Sequence, residues 1–233
     1  NVIDTLVRCA IFCLPILEKF MKIIVALDYT NPLEALEMCA KLRGVADGFK
    51  INHALWSQSV YIKDYTQAGE LFVDCKLWDT PNTVKQVVQK IVDKGATMTT
   101  ICTHNNEAVF EEIQPLANQV KLLGVTYLTS WTPEERFGIT NTSMNLMWRN
   151  HLDRIGPYGF SGIICSASDI ENIPNIEKHY IKVCPGIGKN KGQVRTVTAK
   201  QAVELGADYL VIGRTITQSV DPVKALLDIK ENK

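Results

Sequence analysis

The sequence predicts an α/β protein built as a single (β/α)8 TIM barrel, with its active site at the C-terminal ends of the strands. Two observations predict it. From Met21 onward, eight short apolar runs alternate with amphipathic stretches of helical spacing. No glycine-rich dinucleotide fingerprint marks the runner-up, an open doubly wound sheet. The first strand is Ile23–Leu27 and the helix after it Leu33–Leu42. Gly48–Ile51 is the second strand and Leu71–Cys75 the third, followed by the helical stretch Val84–Asp93. Met98–Cys102 and Gly124–Leu128 are the fourth and fifth strands, with helix Ala108–Ala117 between them. The long segment from Trp131 to Pro157 suits a lid or the start of a helix equally well, and it contains the helical stretch Met144–Arg154. Gly162–Cys165, Ile181–Cys184 and Tyr209–Ile212 complete the strands, with helices Ala199–Glu204 and Pro222–Ile229. Gly95-Ala96 and Gly206-Ala207 end helices just before strands, where a C-terminal cap glycine belongs.

Residues 1–20 stand apart from this pattern. The apolar stretch from Cys9 to Leu17 is interrupted by Pro15 and is too short to span a bilayer as a helix. A signal peptide wants basic residues first and small residues at the cleavage site, but Asp4 lies upstream and Glu18-Lys19-Phe20 follows. Residues 1–20 therefore read as an N-terminal extension, native or introduced by cloning, with a processed signal as the alternative. Residues 21–233 read as one catalytic barrel.

At 233 residues and 46% hydrophobic content the chain can bury one substantial core. Lys+Arg and Asp+Glu both number 25, a balance that points to no nucleic-acid or acidic-membrane partner. The 7 cysteines are scattered without CxxC spacing, which suits reduced, buried thiols in a cytoplasmic protein rather than a disulfide framework or zinc site.

The densest chemistry is Asp74-Cys-Lys76-Leu-Trp-Asp79-Thr-Pro-Asn-Thr83, directly after the apolar run of the third strand. Residues two apart in a strand point the same way, so Asp74 and Lys76 share a face, and a turn could bring Asp79 back to them. A structural ion pair rarely needs two carboxylates around one lysine. Proton transfer does, because flanking carboxylates keep the lysine charged until it meets developing negative charge. Asp28, Lys50, His104, Ser130, Pro185 and Arg214 also fall at strand C-termini. His104 has no second ligand at metal spacing and reads as structural. The loop Pro185-Gly186-Ile187-Gly188, continued through Gln193, precedes Gly213-Arg214 at the end of the last strand. Loops seven and eight of such barrels often hold phosphate, which Arg214 can grip bidentately where Gly213 lets the backbone approach. The plain alternative is glycine turns beside a solvated arginine.

The run from Asp74 to Thr83 resembles the Asp-x-Lys-x-x-Asp-x-Pro-Asn-Thr signature of the orotidine 5′-monophosphate decarboxylases. Ala26-Leu27-Asp28, Phe49-Lys50, Thr129-Ser130, Pro185-Gly186-Ile187, Gln193-Val-Arg195 and Ile212-Gly213-Arg214 match further anchors in order, across residues 21–230. The resemblance implies a cofactor-free, metal-free barrel acting on orotidine 5′-phosphate, and a homodimer with shared sites. Lys50, Asp74, Lys76 and Asp79 would be catalytic, with Lys76 the proton donor. Asp79 and Thr83 would come from the partner subunit. Asp28 and Lys50 match ribose contacts, Ser130 a pyrimidine contact, and Gln193 and Arg214 phosphate ligands. The chain departs from the common pattern at Trp78, where many members carry histidine, and at Thr80, often isoleucine. Gly188 replaces an arginine of many bacterial members, and Lys189 or Lys191 are candidates to take over its role.

Other readings remain open. Sugar-phosphate decarboxylases of the same superfamily share Asp-x-Lys-x-x-Asp but follow it with small residues and use a metal, and Thr80-Pro81-Asn82-Thr83 argues against them. A phosphosugar isomerase or epimerase would want metal-binding histidines, and only 4 histidines exist. A diverged, non-catalytic nucleotide-binding barrel would not need Lys76 and both aspartates.

Overall fold

The computed structural model describes residues 21–58, 62–174, 180–188 and 197–231. Eight parallel strands close into a barrel in chain order: β1 (Lys22–Leu27), β2 (Gly48–Ile51), β3 (Glu70–Leu77), β4 (Met98–Cys102), β5 (Lys121–Val125), β6 (Gly162–Ile164), β7 (Ile181–Cys184) and β8 (Tyr209–Ile212). Strand β8 pairs back onto β1, with Ile24 opposite Val211. Around them lie α1 (Pro32–Leu42), α2 (His53–Ser57), α3 (Ile62–Thr66), α4 (Pro81–Asp93), α5 (Glu107–Ile113), α6 (Pro133–Thr140), α7 (Met144–Ile155), α8 (Ala199–Glu204), α9 (Arg214–Thr217) and α10 (Pro222–Glu231).

The strands read as unbroken apolar runs because both of their faces are buried. Alternate residues serve different cores. Ile24, Ala26, Phe72, Met98, Leu123, Val125, Ile164, Val183 and Val211 fill the barrel interior. Their neighbours, including Ile23, Val25, Phe49, Leu71, Val73, Leu122 and Leu210, pack outward among the helices. Below the interior core, Glu70 accepts hydrogen bonds from Lys121 at 2.9 Å and the Tyr209 hydroxyl at 3.1 Å, and it pairs with Lys22. Three strands and the barrel floor thus meet on one carboxylate. Burial disfavours its charge, but the hydrogen bonds from Lys22 and Lys121 outweigh that and hold its pKa below the ordinary value. Gly48 and Gly162 give the barrel room: a Cβ on either would stand 2.3 Å from a backbone carbonyl of the next strand.

The helix caps follow the sequence. Asn31 caps α1 through Leu33 N–H, and Thr198 with Gln201 forms a capping box on α8. Gly95 and Gly206 adopt the positive φ of cap glycines, at 82° and 96°. The fifth strand corrects the sequence reading. It runs Lys121–Val125, three residues earlier than Gly124–Leu128, because Leu123 and Val125 are the residues that fill the interior beside Met98 and Ile164. Tyr127 to Ser130 is thereby released to line the mouth of the barrel. The Trp131–Pro157 segment is helical through α6 and α7.

Candidate active site

The interior periodicity carries the charged residues to the C-terminal mouth. There, Asp28, Lys50, Asp74, Lys76, Ser130, Pro185, Gly213 and Arg214 line one cavity of about 300 Å³ above a floor of Ala26, Phe72, Val125, Ile164 and Val211. The size and the mix of apolar wall with convergent polar groups suit a small-molecule site.

Four of these side chains alternate in charge. Asp28 Oδ1 lies 3.2 Å from Lys50 Nζ, which lies 3.6 Å from Asp74 Oδ2. Lys76 Nζ donates to both oxygens of Asp74 at 2.9 Å. Asp74 is 14% exposed and Lys50 11%, whereas Lys76 is 41% exposed and opens to the cavity. Burial alone would push the Asp74 carboxyl up. The charges of Lys50 and Lys76, with hydrogen bonds from Lys76 and Thr100, overcome this and hold it below the ordinary carboxylate value. The site therefore keeps a fixed anion between two cations.

Strand β3 bends to achieve this. Its pairing with β4 runs Val73 opposite Thr99 and then Leu77 opposite Ile101, so Asp74, Cys75 and Lys76 together face Thr100 alone. Lys76 takes a left-handed backbone conformation, with φ of 47°. Side chains of β4 and its following loop close the opened ladder: Thr99 Oγ1 donates to Val73 O, and Asn105 Nδ2 to Leu77 O. The strand reading had put Asp74 and Lys76 on one face by simple alternation; they do meet, by way of this bulge.

Asp79 and Thr83 are exposed and do not line the cavity. The turn after β3 does not return Asp79 to Lys76. Its Oδ1 accepts from Thr80 N–H at 2.6 Å, while Thr80 and Thr83 hydroxyls bond each other at 2.9 Å. Gln193, Lys189 and Lys191 lie outside the described residues, as do residues 1–20. Among the described residues, no three His, Cys, Asp or Glu side chains gather where they could hold a metal ion. The described cysteines are free, and all but Cys102 are buried.

The model of the orotidine 5′-phosphate decarboxylase / HUMPS family matches residues 21–229. The chain belongs to this family. Proteins named orotidine 5′-phosphate decarboxylase agree with that membership along nearly their whole length. The one from Dictyoglomus thermophilum is 33% identical, covering 92% of this chain and 96% of its own. That from Vibrio vulnificus strain YJ016 is 32% identical, covering 88% and 94%. The crystal structure of orotidine 5′-phosphate decarboxylase from Lactobacillus acidophilus superposes with a TM-score of 0.77 at 27% identity, over 91% of this chain and 98% of that one.

The departures from the common family pattern have local explanations. Gly188 sits at φ of 89°, and a Cβ there would come within 2.7 Å of Thr215 Oγ1, so an arginine at this position would require the loop to shift. The Thr80 hydroxyl is engaged with Thr83 at the start of α4. Trp78 is 72% exposed and points away from the barrel core. The sequence reading missed a polar cluster behind Tyr127. Its hydroxyl meets His104 Nε2 at 3.1 Å and His151 Nε2 at 3.2 Å, and His151 Nδ1 meets Thr103 Oγ1 at 2.9 Å. His104 thus has hydrogen-bonding partners in Cys102 and Tyr127. His151 carried no signal, because α7 brings it there from 48 residues beyond Thr103.

Proposed function

We propose that this chain is an orotidine 5′-phosphate decarboxylase, converting orotidine 5′-phosphate to UMP and CO2 in pyrimidine biosynthesis without metal or cofactor. The observation that carries the reading is the alternating Asp28–Lys50–Asp74–Lys76 array in the one cavity that Pro185, Gly213 and Arg214 also line. Breaking the bond between C6 and the carboxylate leaves an electron pair on C6 that the pyrimidine ring delocalises poorly. The Lys76 ammonium stabilises that pair and then gives it a proton, and water reprotonates the lysine. Asp74 keeps Lys76 charged and aimed, and because the two side chains are already paired, little reorganisation accompanies the reaction. Arg214 and Gly213 receive the phosphate, Asp28 and Lys50 the ribose, Ser130 the pyrimidine, with Gln193 as a further phosphate ligand. Binding energy from phosphate, remote from the reacting carbon, supports closure and exclusion of water.

The protein acts as a homodimer with shared sites. The outward placement of Asp79 and Thr83 beside the exposed Trp78 supports this, since they are available to complete the cavity of a partner subunit. The free, largely buried cysteines support a cytoplasmic location. Among the described residues no helix is long and apolar enough to cross a membrane. The test is loss of orotidine 5′-phosphate absorbance on adding EDTA-treated protein, with UMP identified as product. Turnover only of sugar-phosphate acids, and only with added magnesium, would replace this reading with the superfamily alternative.

A further inference from the structure

Thr100 is wholly buried on β4, across from the bulge of β3. Its hydroxyl makes two hydrogen bonds of opposite sense. It donates to Asp74 Oδ1 at 3.0 Å and accepts from the backbone N–H of Lys76 at 2.8 Å. The directions are forced, because an ionised carboxylate only accepts and a peptide N–H only donates. One hydroxyl therefore stands in for the ladder partner that the bulge takes from Lys76, and it orients the carboxylate that Lys76 Nζ grips.

We infer that Thr100 is a positioning residue of the decarboxylation, fixing the left-handed Lys76 backbone and the Asp74 carboxylate in a single geometry. Left-handed backbone is unfavourable for a residue with a Cβ, which crowds the neighbouring carbonyl. Such a conformation persists where the surroundings over-determine it. Around Lys76 the over-determination comes from both ends of the residue: Asp74 holds the ammonium, and Thr100 holds the peptide N–H and Asp74 together. Without the hydroxyl, the Lys76 N–H and one face of Asp74 lose their partner in a buried place, and the ammonium is free to wander by the ångström that matters to proton delivery. Thr99, the neighbouring hydroxyl, bonds only Val73 O and shares neither contact. The charged groups facing Asp74 are Lys50 from β2, with Asp28 just after β1 behind it, and Lys76 from its own strand.

This inference rests on the proposed activity, and the variants separate the two. Thr100→Val keeps the shape and removes both hydrogen bonds; Thr100→Ser keeps the hydroxyl. With Thr100→Val, kcat should fall on the order of 10²-fold while UMP affinity stays within about threefold, because phosphate and ribose contacts lie elsewhere. The acid limb of its pH–rate profile should move to higher pH, since Asp74 loses a hydrogen bond that favours its charged form. Thr100→Ser should recover most of kcat. Carbon-detected NMR titration of the Asp74 carboxyl reads the same loss without any turnover, so a wild-type protein inactive on orotidine 5′-phosphate would overturn the proposed activity and leave the positioning to this titration. Should Thr100→Val not fold, Thr100→Ala carries the same comparison. A serine variant as impaired as valine, or a valine variant with unchanged kcat and Asp74 titration, would overturn the inference.

Discussion

Asp74 is the residue on which the site's electrostatics turn, since both lysines and Thr100 address its two oxygens. Replacing it with asparagine keeps the shape and removes the anion between Lys50 and Lys76. Asp74→Asn should lower kcat by roughly 10²–10⁴-fold. Its effect on stability follows from the lowered pKa. A carboxyl whose folded pKa lies below its unfolded value stabilises the fold above the unfolded pKa, near 3.9, and loses that contribution as pH falls through the folded value. Wild type should therefore lose more stability than Asp74→Asn between pH 6 and pH 3 in denaturant titrations. Equal losses would mean that Asp74 is not held as an anion by its neighbours. At this scale the sequence was informative about charge: Asp28, Lys50, Asp74, Lys76 and Arg214 all reach the cavity that their strand ends predict. It was silent about Thr100, because a threonine inside an apolar strand looks like any β-branched filler. Only the pairing with β3 makes its hydroxyl a ligand of the site.

Elements carry the next layer of control. Helix α7 is tied to the loop after β4 by Arg154, which donates to the carbonyls of Thr103 and Asn105 at 2.8 and 2.6 Å, and by His151, which meets both Thr103 and Tyr127. Through Tyr127 this helix reaches the wall of the cavity. Burial, with His104 and Arg154 nearby, pushes the His151 imidazole down to about 4. A neutral histidine of this kind gives full stability above its unfolded value near 6.5, and that contribution drains away as pH falls toward 4. The drain amounts to about 3 kcal/mol at most. His151→Gln should flatten the pH dependence of stability between 6.5 and 4, measured by urea unfolding at several pH values; an unchanged slope would contradict the assigned burial. Element type was legible wherever an apolar face recurred, and α8 falls on Ala199–Glu204 as its spacing predicts. The short helices α2, α3 and α9 were not, since none exceeds 5 residues, and the segment of α6 suited a lid as well as a helix. The fifth strand was placed late because Leu122-Leu123 and Tyr127-Leu128 are both apolar, and only the register with Met98 and Gly162 decides between them.

For the whole molecule, closure of the barrel converts eight local patterns into one mouth, and this was readable because parallel strands buried on both faces leave a continuous apolar signature. Assembly is a property of two chains, and a single sequence supports it only through resemblance. A mixture of Lys76→Ala and Asp79→Ala proteins tests it. If Asp79 acts in the cavity of the partner subunit, exchanged dimers hold one intact site and one doubly altered site, and activity should recover toward about a quarter of wild type. No recovery after demonstrated subunit exchange would make each site self-contained. The most direct measurement is the decarboxylation of orotidine 5′-phosphate by wild type and Lys76→Ala side by side, with UMP affinity determined for both. Wild type should turn the substrate over, the variant should lose at least about 10³-fold, and UMP binding should be largely retained. Comparable turnover by the two proteins would contradict Lys76 as the proton donor and, with it, the role assigned to the charged array.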